Sequence, residues 1–278
     1  MPTSPSRAVL ITGCSSGIGY HAAHFLQRAG FQVIASARRP EDVARLQAQG
    51  LTALCLDLAD DASIHAAVDA TLTLTGGRLY GLFNNGAYGQ PGALEDLPTE
   101  ALRAQFESNF FGWHTLTRRV LPVMLAANEG RIIQNSSVLG LVAMQFRGAY
   151  NASKFAIEGY TDTLRLELRG TGVQVALLEP GPIESRFRAN ALAALQQIDL
   201  TGSRHRDLYH QTLTRLGSER SNNRFTLTPE ACMPPLLHAL TAPRARTRYP
   251  VTTPSKWLYH LRGWVPTRWL DALVAGST

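Results

Sequence analysis

Apolar and polar positions fall into alternating blocks through the first two thirds of the chain. Residues 7–12 (RAVLIT) form a short apolar run that stops at Gly13, as a buried strand does. Residues 18–29 then place Ala22, Ala23, Phe25 and Leu26 at helical spacing, and Gly30 ends the pattern. The pair recurs as strand 31–37 with helix 40–49, and as strand 51–56 with helix 62–75. A strand at 79–83, a long helical stretch at 101–127, a strand at 131–134 and a helix at 150–169 follow. The strand at 173–178 is almost wholly apolar, which suits a parallel strand buried on both faces. Strand–helix alternation predicts βαβ units, hence an α/β fold with a doubly wound parallel sheet.

After Pro180-Gly181-Pro182 the rhythm breaks. Helical patches at 186–197 and 207–216 are joined by a Gly/Ser/Arg/Asn-rich stretch, so residues 183–227 read as a helical insertion after strand six. A helix at 229–240, a short strand at 248–251 and two amphipathic pieces at 257–261 and 269–274 close the chain. No linker, repeat or low-complexity tract interrupts it, so residues 1–278 are expected to form one domain, with 252–278 as a tail.

The first candidate chemistry lies where strand one meets helix one, in Thr12-Gly13-Cys14-Ser15-Ser16-Gly17-Ile18-Gly19. Three glycines let the backbone turn tightly and come close to a pyrophosphate seated on the helix N-terminus. The spacing is G-x-x-x-G-x-G, and an ordinary strand–helix turn is the plain alternative. The position, opening a βαβ series, favours dinucleotide binding on a Rossmann-type sheet. Strand two ends in Ala37-Arg38-Arg39, without the acidic residue that holds a ribose 2′-hydroxyl. Arginine there suits a 2′-phosphate, so NADP(H) is the expected cofactor and Arg38 its expected contact.

Lysine usage sharpens the next candidate. Of the 27 basic residues only Lys154 and Lys256 are lysine. Tyr150-Asn151-Ala152-Ser153-Lys154 sets Tyr and Lys four apart, on one face of a helix. A cation there stabilises the phenolate and lowers the tyrosine pKa, which fits proton transfer.

Charge excludes other classes. The net charge of +6 is concentrated at the end: residues 243–278 hold six basic residues against Asp271, and the remainder is nearly balanced. A nucleic-acid-binding domain carries a basic stripe on its body, so no nucleic-acid partner is expected. No apolar run approaches the roughly 18 residues of a membrane span, and the N-terminus lacks the pattern of a secretory signal. Three widely spaced cysteines argue against a disulfide framework and a zinc site. The cytoplasm is the expected location.

Taken together, TGCSSGIG (12–19), Asp57-Leu58, Asn85, Asn109, Ser137, YNASK (150–154) and EPGPIES (179–185) resemble the short-chain dehydrogenase/reductase family over essentially the whole length. That resemblance implies a catalytic set of Asn109, Ser137, Tyr150 and Lys154. Ser137, 13 residues before Tyr150, would polarise a carbonyl. Tyr150 would be the general acid in reduction. Lys154 would lower its pKa and hold the nicotinamide ribose, and Asn109 would hold a relay water. The cofactor would lie along Gly13, Ser15, Ser16, Gly17, Ile18 and Gly19, with Arg38, Asp57 and Leu58 toward the adenine end. Asn85, Gly86 and Ala87 would follow, with Pro180, Gly181, Ile183 and Ser185 at the nicotinamide. The chain departs from the family in reading Asn85-Gly86-Ala87 where Asn-Ala-Gly is usual, and in placing Ser185 where Thr is common.

The resemblance also makes 183–227 a substrate cap. Its Phe187, Leu192, Leu195 and Tyr209 suit a lipophilic aldehyde, ketone or matching alcohol, as in the hydroxysteroid- and retinol-dehydrogenase-like branch. An NADP(H)-binding regulatory module without turnover is the alternative. A homodimer or homotetramer is expected. The tail interleaves Trp257, Trp264 and Trp269 with Lys256, Arg262 and Arg268; a lid or subunit contact is favoured, with weak contact to a membrane surface as the other reading. All the cofactor motifs precede residue 186, so loss of the tail is expected to spare cofactor binding.

Overall fold

The computed structural model describes residues 7–218 and 223–275; positions 219–222 of the expected cap and 276–278 of the tail lie outside the described residues. Among the described residues seven strands form one parallel sheet: β1 (Ala8–Ile11), β2 (Gln32–Ala37), β3 (Thr52–Cys55), β4 (Gly81–Asn84), β5 (Gly130–Asn135), β6 (Val173–Glu179) and β7 (Arg248–Pro250). Their order is β3-β2-β1-β4-β5-β6-β7. Leu10 of β1 pairs with Ile34 on β2 and with Leu82 on β4. The chain moves outward from β1 to β3, then returns to the opposite side of β1. Loops leaving β1 and β4 therefore diverge, and a crevice opens at the carboxyl ends of the strands.

Period-two alternation divides the core. Val9 and Ile11 pack beneath α1 (Gly17–Arg28), α2 (Pro40–Ala48) and α9 (Met233–Thr241), with Ala22, Leu46 and Leu236. Ala8 and Leu10 pack beneath α3 (Asp61–Leu74), α5 (Gly112–Ala126) and α6 (Gly148–Glu167), with Ile64, Leu116 and Leu164. The cap forms α7 (Phe187–Leu195) and α8 (Arg206–Gly217), which close a small cluster of Phe146, Ala191, Leu195, Tyr209 and Leu216. The tail forms α10 (Thr253–Leu261) and α11 (Thr267–Ala275). No helix among the described residues is long and apolar enough to cross a membrane.

Two expected helices differ. The stretch expected at 101–127 is α4 (Thr99–Phe106), a π-helical turn over Glu107–Phe111, and then α5. Buried Asn109 lies within this turn and hydrogen-bonds the backbone of Tyr88, while Gly112 packs directly on the Leu58 carbonyl. These long-range contacts insert an extra residue that apolar spacing does not reveal. The helix expected at 229–240 opens as a 3₁₀ turn, Pro229–Cys232, before α9. Pro234 and Pro235 lack N–H groups and forfeit no helical hydrogen bond in a first turn, which suits the start of α9.

Candidate active site

β1 runs directly into the glycine turn. Gly13 and Gly17 have φ of 72° and 58°, a region that favours glycine. A Cβ on Gly13 would lie 2.6 Å from the Gly86 Cα, so two loops meet backbone against backbone. Thr12 Oγ1 accepts the N–H groups of Asn85 and Gly86, each at 2.8 Å. Asn85 Nδ2 donates back to the Thr12 carbonyl at 2.8 Å, and Asn85 Oδ1 accepts from Asn135 Nδ2 at 2.8 Å. Asn85 therefore braces the ends of β1, β4 and β5. The order Asn85-Gly86-Ala87 is accounted for here. Gly86 occupies the tight contact with Gly13 and Leu58, and Ala87 packs beside Trp113 and Ile157.

The start of α1 is open. Its N-cap Ser16 is extended and makes no side-chain cap, and the first turn holds no acidic residue. Unsatisfied N–H groups at a helix N-terminus attract an anion. Arg45 steadies the turn by donating to the Ser15 carbonyl at 2.7 Å, and Ile18 packs onto the core. Ser185 from the loop after β6 abuts Gly17. Arg38 and Arg39 are exposed at the end of β2, and neither guanidinium has a hydrogen bond or ion pair among the described residues. The Asp57 carboxylate accepts the Ala59 N–H at 3.0 Å and shapes its own loop, while Leu58 packs beneath Gly86. A glycine cradle with no room for side chains, a bare helix start and two free arginines fit a dinucleotide.

The second half of the crevice holds Ser137, Tyr150 and Lys154, all buried. Ser137 caps a one-turn helix by accepting the Leu139 N–H at 3.1 Å. The Val138 N–H donates to the Pro180 carbonyl at 2.8 Å, which joins this loop to the one after β6. Tyr150 and Lys154 sit one turn apart on α6. Lys154 Nζ donates to the Asn135 carbonyl at 2.7 Å and lies 4.4 Å from the centre of the Trp113 ring. The Tyr150 ring meets Phe187 of the cap edge-on, with centroids 5.2 Å apart.

The electrostatics differ from the sequence expectation. Burial pushes the Tyr150 hydroxyl up to about 12, opposed by a hydrogen bond with Ser137 and by the charge of Arg147. Burial also pushes Lys154 down to about 7. In the protein alone Arg147 is the cation whose charge pulls on Tyr150, while burial works against the charge on Lys154. Arg147 lies one turn before Tyr150, a spacing visible in the sequence but not singled out there. Trp113, Asn135 and the role of Phe187 were also missed, because they reach the site through tertiary packing.

Asn109 is in the site but committed. Its Oδ1 accepts the Tyr88 N–H at 3.2 Å, and its Nδ2 donates to the Tyr88 carbonyl at 2.9 Å. The start of the tail packs against one of the expected cofactor motifs. A Cβ on Gly181 would strike the Thr252 hydroxyl and come within 3.1 Å of Ser255 Oγ. The start of α10 thus backs the Pro180-Gly181 loop, whereas Ile183 pairs with Leu227 within the cap.

A doubly wound sheet with this glycine turn and this Ser-Tyr-Lys cluster defines a nicotinamide-dependent oxidoreductase, and the chain belongs to the short chain dehydrogenase family, whose pattern matches residues 7–196. Over 272 residues it is 41% identical to a protein of Escherichia coli (strain K12) named uncharacterized oxidoreductase YbbO, covering 97% of this chain and 94% of that one. It is 36% identical over 219 residues to retinol dehydrogenase 8 of Bos taurus, covering 73% and 69%. A short chain dehydrogenase/reductase from Burkholderia phymatum, solved in complex with NAD, superposes with a TM-score of 0.78 at 25% identity, covering 94% of each chain.

Proposed function

We propose that the protein reduces a lipophilic aldehyde or ketone with NADPH, or oxidises the matching alcohol with NADP⁺. The observation that carries this reading is the buried Ser137-Tyr150-Lys154 cluster facing the apolar Phe187 of the cap. A bound nicotinamide supplies or accepts the hydride at the carbonyl carbon. The hydroxyls of Tyr150 and Ser137 hydrogen-bond the carbonyl oxygen, and Tyr150 delivers its proton as that oxygen gains charge. Because burial keeps Tyr150 protonated at neutral pH, the protein alone is set for reduction. Lys154 lies beside Tyr150, where a ribose hydroxyl would raise its charge by accepting a hydrogen bond. The Asn109 side chain is held by both main-chain groups of Tyr88 and so fixes the loop after β4 beside the site. The apolar cap and the similarity to retinol dehydrogenase 8 support a lipophilic substrate. Assay of NADPH oxidation with retinal, ketosteroids and medium-chain aldehydes tests the reading; inertness toward all of them counts against it.

NADP(H) is preferred because Ala37 leaves no carboxylate at the end of β2, and Arg38 and Arg39 there have no ion pair or side-chain hydrogen bond among the described residues. Arg38→Asp is expected to lower the preference for NADPH over NADH by about ten- to a hundredfold, the scale of a lost charge-assisted bond to phosphate. An unchanged affinity ratio in fluorescence titrations removes Arg38 from the site. The setting is the cytoplasm, in keeping with free Cys14, Cys55 and Cys232.

Assembly into dimers or tetramers is proposed through α5 and α6. Leu125, Phe155 and Leu166 are exposed on these helices, and a groove of about 340 Å³ runs between His114, Leu121, Tyr160 and Leu164, apart from the site residues. Leu125→Glu is expected to shift the sedimenting species toward monomer; an unaltered oligomer places the contact elsewhere.

A further inference from the structure

The tail holds three tryptophans out in solvent. Trp257, Trp264 and Trp269 are 65%, 89% and 73% exposed, and Leu273 is exposed beside them on α11. Large apolar side chains gathered in one segment mark an interaction surface. The opposite side of the tail is already anchored. Leu258 and Val274 are buried with Val142, and Leu270 packs against the same cluster beside Val138 and Met144. On α11, Leu270 and Val274 sit one turn apart and face inward, whereas Trp269 and Leu273 sit one turn apart and face outward. The fold thus uses one apolar stripe of α11 and leaves a second without a partner among the described residues.

The charge of this surface selects its occupant. Lys256, Arg262 and Arg268 alternate with the tryptophans, and Asp271 is the acidic residue of the segment from 251 onward. None of the three cations forms an ion pair among the described residues, although Arg262 also lies within electrostatic reach of Glu179 and Arg248. Two copies of this face would bring like charges together. An anionic lipid surface would neutralise them, and indole rings settle at the level of lipid headgroups, where one end is apolar and the other wet. Helices of this kind lie on a membrane without spanning it.

We propose that the outer face of α10 and α11 docks the protein on an anionic lipid surface, with Trp257, Trp264 and Trp269 seated among the headgroups. Val138, which follows Ser137, belongs to the cluster beneath these helices, so the docked face adjoins the loop that carries Ser137. The docking is independent of which carbonyl compound the site reduces.

The test is sedimentation of the purified full chain with phosphatidylcholine vesicles, with and without phosphatidylglycerol. Binding is expected to need the anionic lipid and to weaken with salt. A Trp264→Ala/Trp269→Ala variant should lose at least about tenfold in partitioning, since two large apolar groups leave the interface. Lys256→Gln and Arg268→Gln should each lose about fivefold. All four positions are exposed, so circular dichroism and the thermal midpoint should match wild type. Absence of vesicle binding, indifference to anionic lipid, or full binding by the tryptophan variant overturns the proposal. So does a tryptophan variant that changes the oligomeric mass while vesicle binding stays the same, which assigns the face to a second copy.

Discussion

Tyr150→Phe leaves the fold and cofactor affinity intact and lowers carbonyl turnover by at least about 10²–10⁴-fold, the usual worth of general acid–base catalysis. The substitution removes one oxygen. The ring that packs edge-on against Phe187 remains, as do the backbone of α6 and the Lys154 bond to the Asn135 carbonyl. What disappears is the proton donor and one of two hydrogen bonds that orient the carbonyl. Steady-state kinetics on a good substrate, with circular dichroism as the control for folding, measures the effect. Near-wild-type turnover in a folded variant would return the protein to the class of cofactor-binding regulators. The wild type adds a second reading of the same group. Reduction needs the protonated phenol, which burial favours, so its rate should hold through neutral pH and fall in alkali as Tyr150 ionises. Oxidation needs the phenolate and should rise over that range.

Arg248→Leu is expected to destabilise the fold by about 3–5 kcal/mol at neutral pH, as when one partner of a buried ion pair is removed. Arg248 of β7 donates to Glu158 on α6, to Glu179 at the end of β6 at 2.8 Å and to Asp162 at 2.6 Å. Glu158 and Glu179 are buried, and each has one carboxylate oxygen without a hydrogen-bond partner among the described residues. Burial already holds the Glu179 carboxyl above its ordinary value, with Arg262 opposing and Asp162 adding. Without Arg248 the Glu179 carboxyl favours the protonated form more strongly. The folded state then binds more protons than the unfolded chain, and stability falls as pH rises. The deficit should begin near the unfolded glutamate value of about 4.3 and grow as pH rises toward the raised folded value of Glu179. Urea denaturation of variant and wild type across this range measures it; a deficit independent of pH would mean that lost packing, not stranded charge, is the cause.

Much of the architecture was legible because strands buried on both faces must be apolar and cannot resemble their neighbours. The glycine turn was legible for a similar reason: backbone packed on backbone at Gly13 and Gly86 tolerates no side chain. Tyr150 and Lys154 were legible because one helix face fixes their spacing. The remainder depends on partners distant in sequence. Asn85 braces three strands through Thr12 and Asn135, 73 and 50 residues away. Arg248 is one more basic residue near the end of the sequence until β7 sets it against Glu158, 90 residues earlier. The downward shift of Lys154 comes from dehydration by tertiary packing, which no local spacing encodes. The contact of the tail with Gly181 was not legible because it spans some 70 positions of chain.

The π-helical turn at Glu107–Phe111 has a consequence for how the chain can vary in length. One residue advances an α-helix by about 100°. Closing this turn to ordinary helix by deleting a residue would rotate α5 against α4 by that angle. Trp113, whose indole donates to the Gly86 carbonyl at 2.9 Å and underlies Lys154, would swing away from both. Gly112 would leave the Leu58 carbonyl. The phase between the two helices is therefore set by how many residues separate them, and side-chain replacement within the turn cannot stand in for that count.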